Sequence, residues 1–443
     1  MAVIFLLLSV ALIIILTTRL QVHPFLALFL VAVFYGFLTG MPLATILQSI
    51  NTGFGETLGK IGLIIIFGVI IGAFLENSGG AYTLAEKVLG MVGKKRVTAA
   101  MGVIGYFISI PVFADSGFLL VSPLNRSLSK KAGISLAGSA VALGLGLTAT
   151  HTMVPPTPGP IAAAGILGAD LGLVMLLGLP ISALALTVGL LYATKYAART
   201  YIDPNPEVTQ EEIDKRQQDA PGAFKSSIPV VIPIILIVLK SLLQNYTTVL
   251  NPSLYNAISF LGEPVVALCI GAFLSLILPK KLKTEMLSSQ GWVGNALKDA
   301  ASIILITGAG GIFGKILQNS GISDTLGESL ADVNLNIWLP FLLAAAIKTA
   351  QGSSTVALIT TASIMFPMMA SLGFVTELEK AMVVVAIGAG SAVVSHANDS
   401  FFWVVTQMSG MKVKTGYRLY STGTLVLGMS AAFFLFLSYL LFT

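Results

Sequence analysis

The chain has 443 residues, 55% of them apolar and only 10% charged, with a formal net charge of +5 and a mean hydropathy of +0.90. Soluble domains carry about 25% charged residues, so there is too little charge to cover a water-facing surface and the solvent is mostly lipid. The basic excess sits in short clusters between apolar runs, which is a membrane-topology pattern rather than a nucleic-acid one, and the runs are continuous, which excludes a transmembrane barrel.

A spanning helix needs roughly 20 apolar residues. Starts are predicted near Val3, Pro24, Ile61, Val97, Leu136 and Leu171, then near Ile228, Pro264, Ile303, Ile337, Ala381 and Leu419. The opening stretch, MAVIFLLLSVALIIILTTR, lacks a basic lead and a small-residue cleavage site, and reads as a retained helix rather than a signal peptide. Residues 201–225, YIDPNPEVTQEEIDKRQQDAPGAFK, form the one long polar stretch. They read as a cytoplasmic linker between a first half, 1–200, and a second half, 226–443. The single cysteine, Cys269 in VVALCIGAF, excludes a disulfide framework or a cysteine metal site.

The halves resemble each other. Residues 68–86, GVIIGAFLENSGGAYTLAE, align without gaps on residues 310–328, GGIFGKILQNSGISDTLGE. Gly68, Gly72, Leu75, Asn77, Ser78, Gly79, Thr83, Leu84 and Glu86 recur as Gly310, Gly314, Leu317, Asn319, Ser320, Gly321, Thr325, Leu326 and Glu328. Asn-Ser-Gly alone would be a helix C-cap signal, but capping does not require the matches on either side. After the first copy come Lys94, Lys95 and Arg96; the end of the second holds Asp324 and Glu328 and is followed by Asp332, with no basic residue before Lys348. The positive-inside rule puts these two ends on opposite sides of the membrane. The predicted fold is therefore an all-α polytopic membrane protein built as an inverted repeat, an architecture common in secondary transporters.

Each half is interrupted twice. ISIPVFADSGFLLVSPL (108–124) corresponds to IKTAQGSSTVALIT (347–360), and ATHTMVPPTPGP (149–160) to VVSHANDSFFW (393–403). Proline lacks an N–H and clashes with the preceding turn, so the four prolines at 155–160 cannot continue a helix. The apolar sequence resumes within a few residues, too few to leave the bilayer and return, so re-entrant hairpins or broken helices are expected. Unwound backbone at membrane depth is tolerated only where it is buried in protein or lines a wet cavity, and freed N–H groups at a half-helix start attract anions.

The candidate residues gather at these breaks. Asp115 reads as a proton carrier, since an intramembrane carboxylate is costly and functional by default, or as an N-cap for a helix beginning at Gly117. Asp399, in HANDS, has the same two readings. His151 and His396 fall at equivalent breaks and either relay protons or cover freed carbonyls. Lys348 either holds a carboxylate as a point charge or snorkels to an interface. Ser353, Ser354 and Thr355 offer hydroxyls to a polyol or cap a helix. The expected site places the substrate carboxylate on Lys348 and on the half-helix starts at the 113–117 and 351–355 breaks, which hold Asp115, Ser116, Gly117 and Gly352. Thr148, Thr152, Ser353, Ser354, Thr355 and Asn398 then meet hydroxyls. Asp115, His151, His396 and Asp399 are the proton candidates, Asp115 first. Phe113, Phe401, Phe402 and Trp403 either stack on substrate or, the preferred reading, serve packing. Glu76 and Glu86 read as a helix end and the loop beyond it. Neither a P-loop nor HEXXH occurs, and no spacing singles out an intramembrane protease dyad.

In HPFLAL (23–28), GFGETLGKIG (53–62), FADSGF (113–118), THTMVPPTPGP (150–160), LGEPVVA (261–267), GSSTVALIT (352–360) and SHANDSFFW (395–403), the sequence resembles the gluconate permease (GntP) family nearly end to end. The resemblance implies a cofactor-free transporter of the bacterial inner membrane that imports gluconate or a related hydroxy-acid with protons. It also implies scaffold and transport domains, elevator-like movement and a homodimer. Asp115 stands where the family usually has Glu, Thr157 where it has His, and Lys348 where it has Arg. The shorter charged side chains leave open a smaller substrate such as glycerate or D-serine. Sodium coupling and an anion channel remain the other readings.

Overall fold

The computed structural model describes residues 2–93, 96–204, 220–243, 251–321 and 335–442. Lys94, Lys95, most of the polar linker and the acidic run Asp324, Glu328 and Asp332 lie outside them. The described residues fold as helices: α1 (Ala2–Thr18), α2 (Pro24–Leu38), α3 (Leu43–Asn77), α4 (Gly80–Val92), α5 (Val97–Ile108), α6 (Ala114–Lys131), α7 (Leu136–Met153), α8 (Pro158–Leu167) and α9 (Leu171–Lys195). There follow α10 (Ala223–Leu243), α11 (Pro252–Leu261), α12 (Pro264–Ser275), α13 (Thr284–Leu287), α14 (Trp292–Asn319) and α15 (Trp338–Gln351). The chain closes with α16 (Ser354–Met365), α17 (Glu377–Ser391), α18 (Ser400–Met408), α19 (Val413–Gly416), a π-helical turn at Tyr417–Ser421 and α20 (Thr422–Phe442).

Six of these segments are long and apolar enough to cross a membrane, or seven if the bent α11–α12 pair is one span. Most of the remaining predicted starts open shorter helices, because the hydrophobic run is cut by a break. Two starts fall well inside their helices: α3 begins at Leu43 rather than Ile61 and α14 at Trp292 rather than Ile303. The polar residues upstream, Gln48 to Lys60 and Asn295 to Asp299, lie on helical turns beyond the apolar run. Large apolar side chains face outward on the peripheral helices, among them Leu7, Leu30, Phe34, Ile235, Phe273 and Leu437, as a lipid-facing surface requires.

The two similar segments end their helices alike. Helix α3 ends at Asn77 with Ser78 at φ −80°, ψ −10°, and α14 ends at Asn319 with Ser320 at φ −80°, ψ −7°. Gly79 and Gly321 follow at φ 78° and 75°, the left-handed step that closes a helix. The two helices pack antiparallel. Asn319 Nδ2 donates to Ser49 Oγ at 2.8 Å near one end, and the rings of Phe74 and Trp292 meet edge-on at 5.2 Å near the other. The repeated glycines have a packing role in the first half. A Cβ on Gly72 would strike the carbonyl of Pro111, and one on Gly68 would press on that of Pro156. Both breaks of that half therefore lie against α3.

At the centre run α7 and α17. Every residue of α7 except His151 is buried, and α17 is buried from Ala381 to Ser391. Helices apolar all round belong inside a large protein, and both are built from Ala, Gly, Val, Leu and Ser, which let neighbouring helices approach closely. Each stops at a break, and the last turns of α7 and the break after α17 line one space.

Candidate functional site

The predicted interruptions are the gaps between helices: 109–113 between α5 and α6, 154–157 between α7 and α8, 352–353 between α15 and α16, and 392–399 between α17 and α18. The gaps at 352–353 and 392–399, with the start of α6 and the last turns of α7, line a cavity of about 260 Å³. Asp115, Thr148, His151, Thr152, Lys348, Gly352, Ser353, Ser354, Thr355, Asn398 and Asp399 line it. Asn398 and Ser400 are exposed and mark its open side.

Its electrostatic centre joins two breaks of the second half. Lys348, with only 1% of its side chain exposed, sits 2.7 Å from Asp399 Oδ2. It does not snorkel to an interface. Its ammonium also donates to the carbonyl of Gly352. Asp399 uses its other oxygen as the N-cap of α18, accepting from the Phe401 N–H at 3.0 Å, so it caps a helix as well as pairing with Lys348. Ser395 donates its hydroxyl to the same Oδ2 that Lys348 holds. Asp115 is different: the N-cap position of α6 is Phe113, so Asp115 lies in the first turn with its side chain at the cavity.

The histidines divide. His396 lies off the cavity, its Nε2 2.7 Å from the Thr349 carbonyl, a carbonyl freed by the end of α15. Asn398 donates to the carbonyls of Thr349 and Ala350 at 2.9 and 3.0 Å. His151 faces the cavity, and its buried Nδ1 has no hydrogen-bond partner among the described residues. Ser116 and Gly117 also lie off the cavity lining. Gly117 packs where a Cβ would press on Leu147.

The hydroxyls are partly spoken for. Thr148 Oγ1 donates to Gly144 O at 2.9 Å, Thr152 Oγ1 to Thr148 O at 3.0 Å and Ser354 Oγ to Ser391 O at 2.8 Å. Ser353 is the N-cap of α16, accepting from Val356 N at 3.3 Å. Sequence reasoning missed Tyr420, Ser395 and Gln351, which also line the cavity. Tyr420 belongs to the π-helical turn before α20, a feature frequent at functional sites. That turn is also a brace: Ser421 donates to the Ser395 carbonyl, and Thr424 accepts from Ser395 N at 3.0 Å. Val394 beside it has φ 45°, strained for a β-branched residue and held by this bracing.

A buried cation–carboxylate pair, a second carboxylate, an unpartnered imidazole nitrogen and a rim of hydroxyls suit recognition of a small, polar, anionic molecule. Residues 1–441 match the family described as GntP family permease. A gluconate permease of Pseudomonas aeruginosa is 32% identical over 440 residues, 96% of this chain and 94% of that one. The inner membrane permease YgbN of Escherichia coli is 33% identical over 438 residues, 95% of each. The D-serine transporter DsdX of Escherichia coli is 30% identical over 429 residues, 96% of this chain and 95% of that one. The crystal structure of the Alcanivorax borkumensis YdaH transporter shares the fold, with a TM-score of 0.65 at 15% identity over 94% of this chain and 98% of that one. With relatives that are permeases and transporters along its whole length, the chain is a multi-pass transporter of the bacterial inner membrane and belongs to the GntP family of permeases.

Proposed function

We propose that this transporter imports a small hydroxy-carboxylate, gluconate or a related sugar acid, by proton symport. The observation that carries the reading is the convergence of Lys348, Asp115, Asp399 and several hydroxyls on one cavity. Lys348 and the first turns of α6 and α16 hold the carboxylate, because backbone N–H groups at a helix start favour negative charge. Thr148, Thr152, Ser353, Thr355 and Asn398 meet the hydroxyls. Protonating a buried carboxylate as the anion enters lowers the net charge that must cross the lipid.

The halves 1–200 and 226–443, joined by 201–225, act as inverted repeats in this reading. Their recurring helix ends and the antiparallel α3–α14 pair support it. An elevator movement of a transport domain against a scaffold, in a homodimer, completes the proposed cycle. In proteoliposomes, an inward proton gradient drives uptake of labelled gluconate, and unlabelled substrate on the far side stimulates it. A sodium gradient sufficing alone overturns the coupling ion, and absence of trans-stimulation favours a channel.

A smaller substrate, glycerate or D-serine, is the second reading. The cavity is just below the range of about 300–1,000 Å³ usual for ligand pockets, and Asp115 has no salt-bridge partner among the described residues, leaving it able to face an ammonium group. A thermal-shift panel of gluconate, idonate, glycerate and D-serine ranks the two.

A further inference from the structure

The two carboxylate oxygens of Asp399 do different work. Oδ1 accepts from the Phe401 N–H at 3.0 Å and fixes the carboxyl to the start of α18. Oδ2 faces the Lys348 ammonium at 2.7 Å and accepts from Ser395. Lys348 has three N–H donors, and two have partners: Asp399 Oδ2 and the carbonyl of Gly352. Lys348 lines the cavity and the ammonium is its only charged group, so that is the group an incoming carboxylate seeks, and Asp399 is its competitor for it.

The Lys348–Asp399 pair is neutral as a unit. An anion added to it would leave an uncompensated negative charge among buried groups, the arrangement that desolvation penalises most. We infer that substrate exchanges with Asp399: its carboxylate takes Lys348, and Asp399 Oδ2 takes the symported proton. This rests on the proposed reading of the site as a carboxylate carrier. The proton comes from a hydronium ion in water entering at the side of Asn398 and Ser400; one O–H bond of that ion breaks to leave a water molecule. An O–H bond forms at Oδ2, the ion contact from Oδ2 to Lys348 Nζ breaks, and an equivalent contact forms from Nζ to the substrate. Ser395, a donor to the carboxylate, turns to accept from the new O–H. The Oδ1 cap stays in place throughout, so the switch needs no unwinding of α18. The site is neutral before and after, apart from whatever charge Asp115 carries in both states.

The other groups facing Asp399 are Asp115 on α6, His151 on α7 and Tyr420 on the π-turn, all on the same cavity wall; His396 on its own loop is turned to Thr349 O. None of them holds Lys348, so the arrival of an anion on the ammonium does not displace them from it. Asp115 is the direct rival for the proton.

The test is calorimetric titration of the full-length purified protein with D-gluconate in phosphate and in Tris, whose ionisation heats differ. The difference gives the protons taken up per substrate bound. Wild type is expected to take up about one, and its affinity to weaken as pH rises. Asp399→Asn keeps the cap, since Asn is as good an N-cap as Asp, and is expected to bind gluconate with no proton uptake and no such pH dependence. Asp115→Asn is expected to keep about one proton. Should Asp399→Asn fail to fold with Lys348 unpaired, infrared difference spectra of wild type and Asp115→Asn on adding gluconate replace it, and a protonated-carboxyl band is expected to appear in both. Wild-type proton uptake persisting in Asp399→Asn, lost in Asp115→Asn, or unaccompanied by that band overturns the assignment. Wild-type binding without a proton also overturns it. Binding of no hydroxy-acid at all instead overturns the functional reading on which it rests.

Discussion

The Tyr420 hydroxyl lies 3.1 Å from Thr148 Oγ1. The π-turn before the last helix is thereby tied to α7, one helical turn before His151. Tyr420 is fully buried except for its place on the cavity wall, and Thr148 already donates to Gly144 O, so the phenol is the natural donor to Thr148 or to a substrate hydroxyl. Tyr420→Phe removes one hydrogen bond of about 0.5–1.5 kcal/mol and keeps the ring packing against Phe401, whose centroid is 6.0 Å away. The expected result is a roughly 2- to 10-fold higher KM for gluconate uptake, with little change in melting temperature. An unchanged KM removes Tyr420 from the substrate contacts.

The two break histidines are expected to separate function from stability. His396 holds the Thr349 carbonyl, which Asn398 also covers. His396→Ala therefore costs about 0.5–1.5 kcal/mol of stability, toward the lower end. His151 has a ring contact with Phe113 at 6.2 Å, while its Nδ1 is unpartnered among the described residues. His151→Ala is expected to lower gluconate affinity roughly tenfold, worth about 1.4 kcal/mol, with a smaller thermal shift than its counterpart. Equal thermal losses with unchanged transport in His151→Ala would return it to a packing role.

These positions show what the sequence could and could not disclose. The breaks were legible because proline chemistry and Gly-Ser runs stop helices locally, and the repeat because Asn77-Ser78-Gly79 and Asn319-Ser320-Gly321 recur with their flanks. Lys348 and Asp399 each stood out as charges in apolar sequence, but nothing local says that residues so far apart form a pair. Tyr420 gave no signal: YRLYS reads as ordinary helix, and its π-turn comes from tertiary bracing by Ser395 and Thr148. Asp115 misled as a cap because Phe113, a poor capping residue, occupies that position; the start of α6 is fixed by packing instead.

Gly352 is where the backbone itself limits the site. Its φ is 92°, and a Cβ would strike the Asn398 carbonyl. Its own carbonyl accepts from Lys348. Gly352→Ala therefore combines left-handed strain with displacement of the 395–399 loop. The expected cost is about 1–3 kcal/mol, with loss of gluconate binding. Gly40 is the control: its φ is 72° and nothing lies within 4 Å of the new Cβ. Gly40→Ala should cost only the conformational part, about 1–2 kcal/mol, and leave transport kinetics unchanged. Melting curves and uptake on both variants distinguish the site effect from the strain common to them.

The antiparallel packing of α3 and α14 makes a topological prediction. Asn319, at the end of α14, bonds Ser49 near the start of α3, while Phe74, near the end of α3, meets Trp292 at the start of α14. The chain therefore leaves these equivalent helices at opposite ends of the pair. The sequence beyond them differs in charge: Lys94 and Lys95 come after α4 in the first half, Asp324 and Glu328 after α14 in the second. Basic loops are retained in the cytoplasm, so Lys94 is expected inside and Asp324 outside. In a Cys269→Ser background, Asp324→Cys should react with a membrane-impermeant maleimide added to intact cells, and Lys94→Cys only after permeabilisation. Labelling of both from the same face would be incompatible with inversion, because two copies that leave an antiparallel pair on one side cannot be related by an axis in the membrane plane.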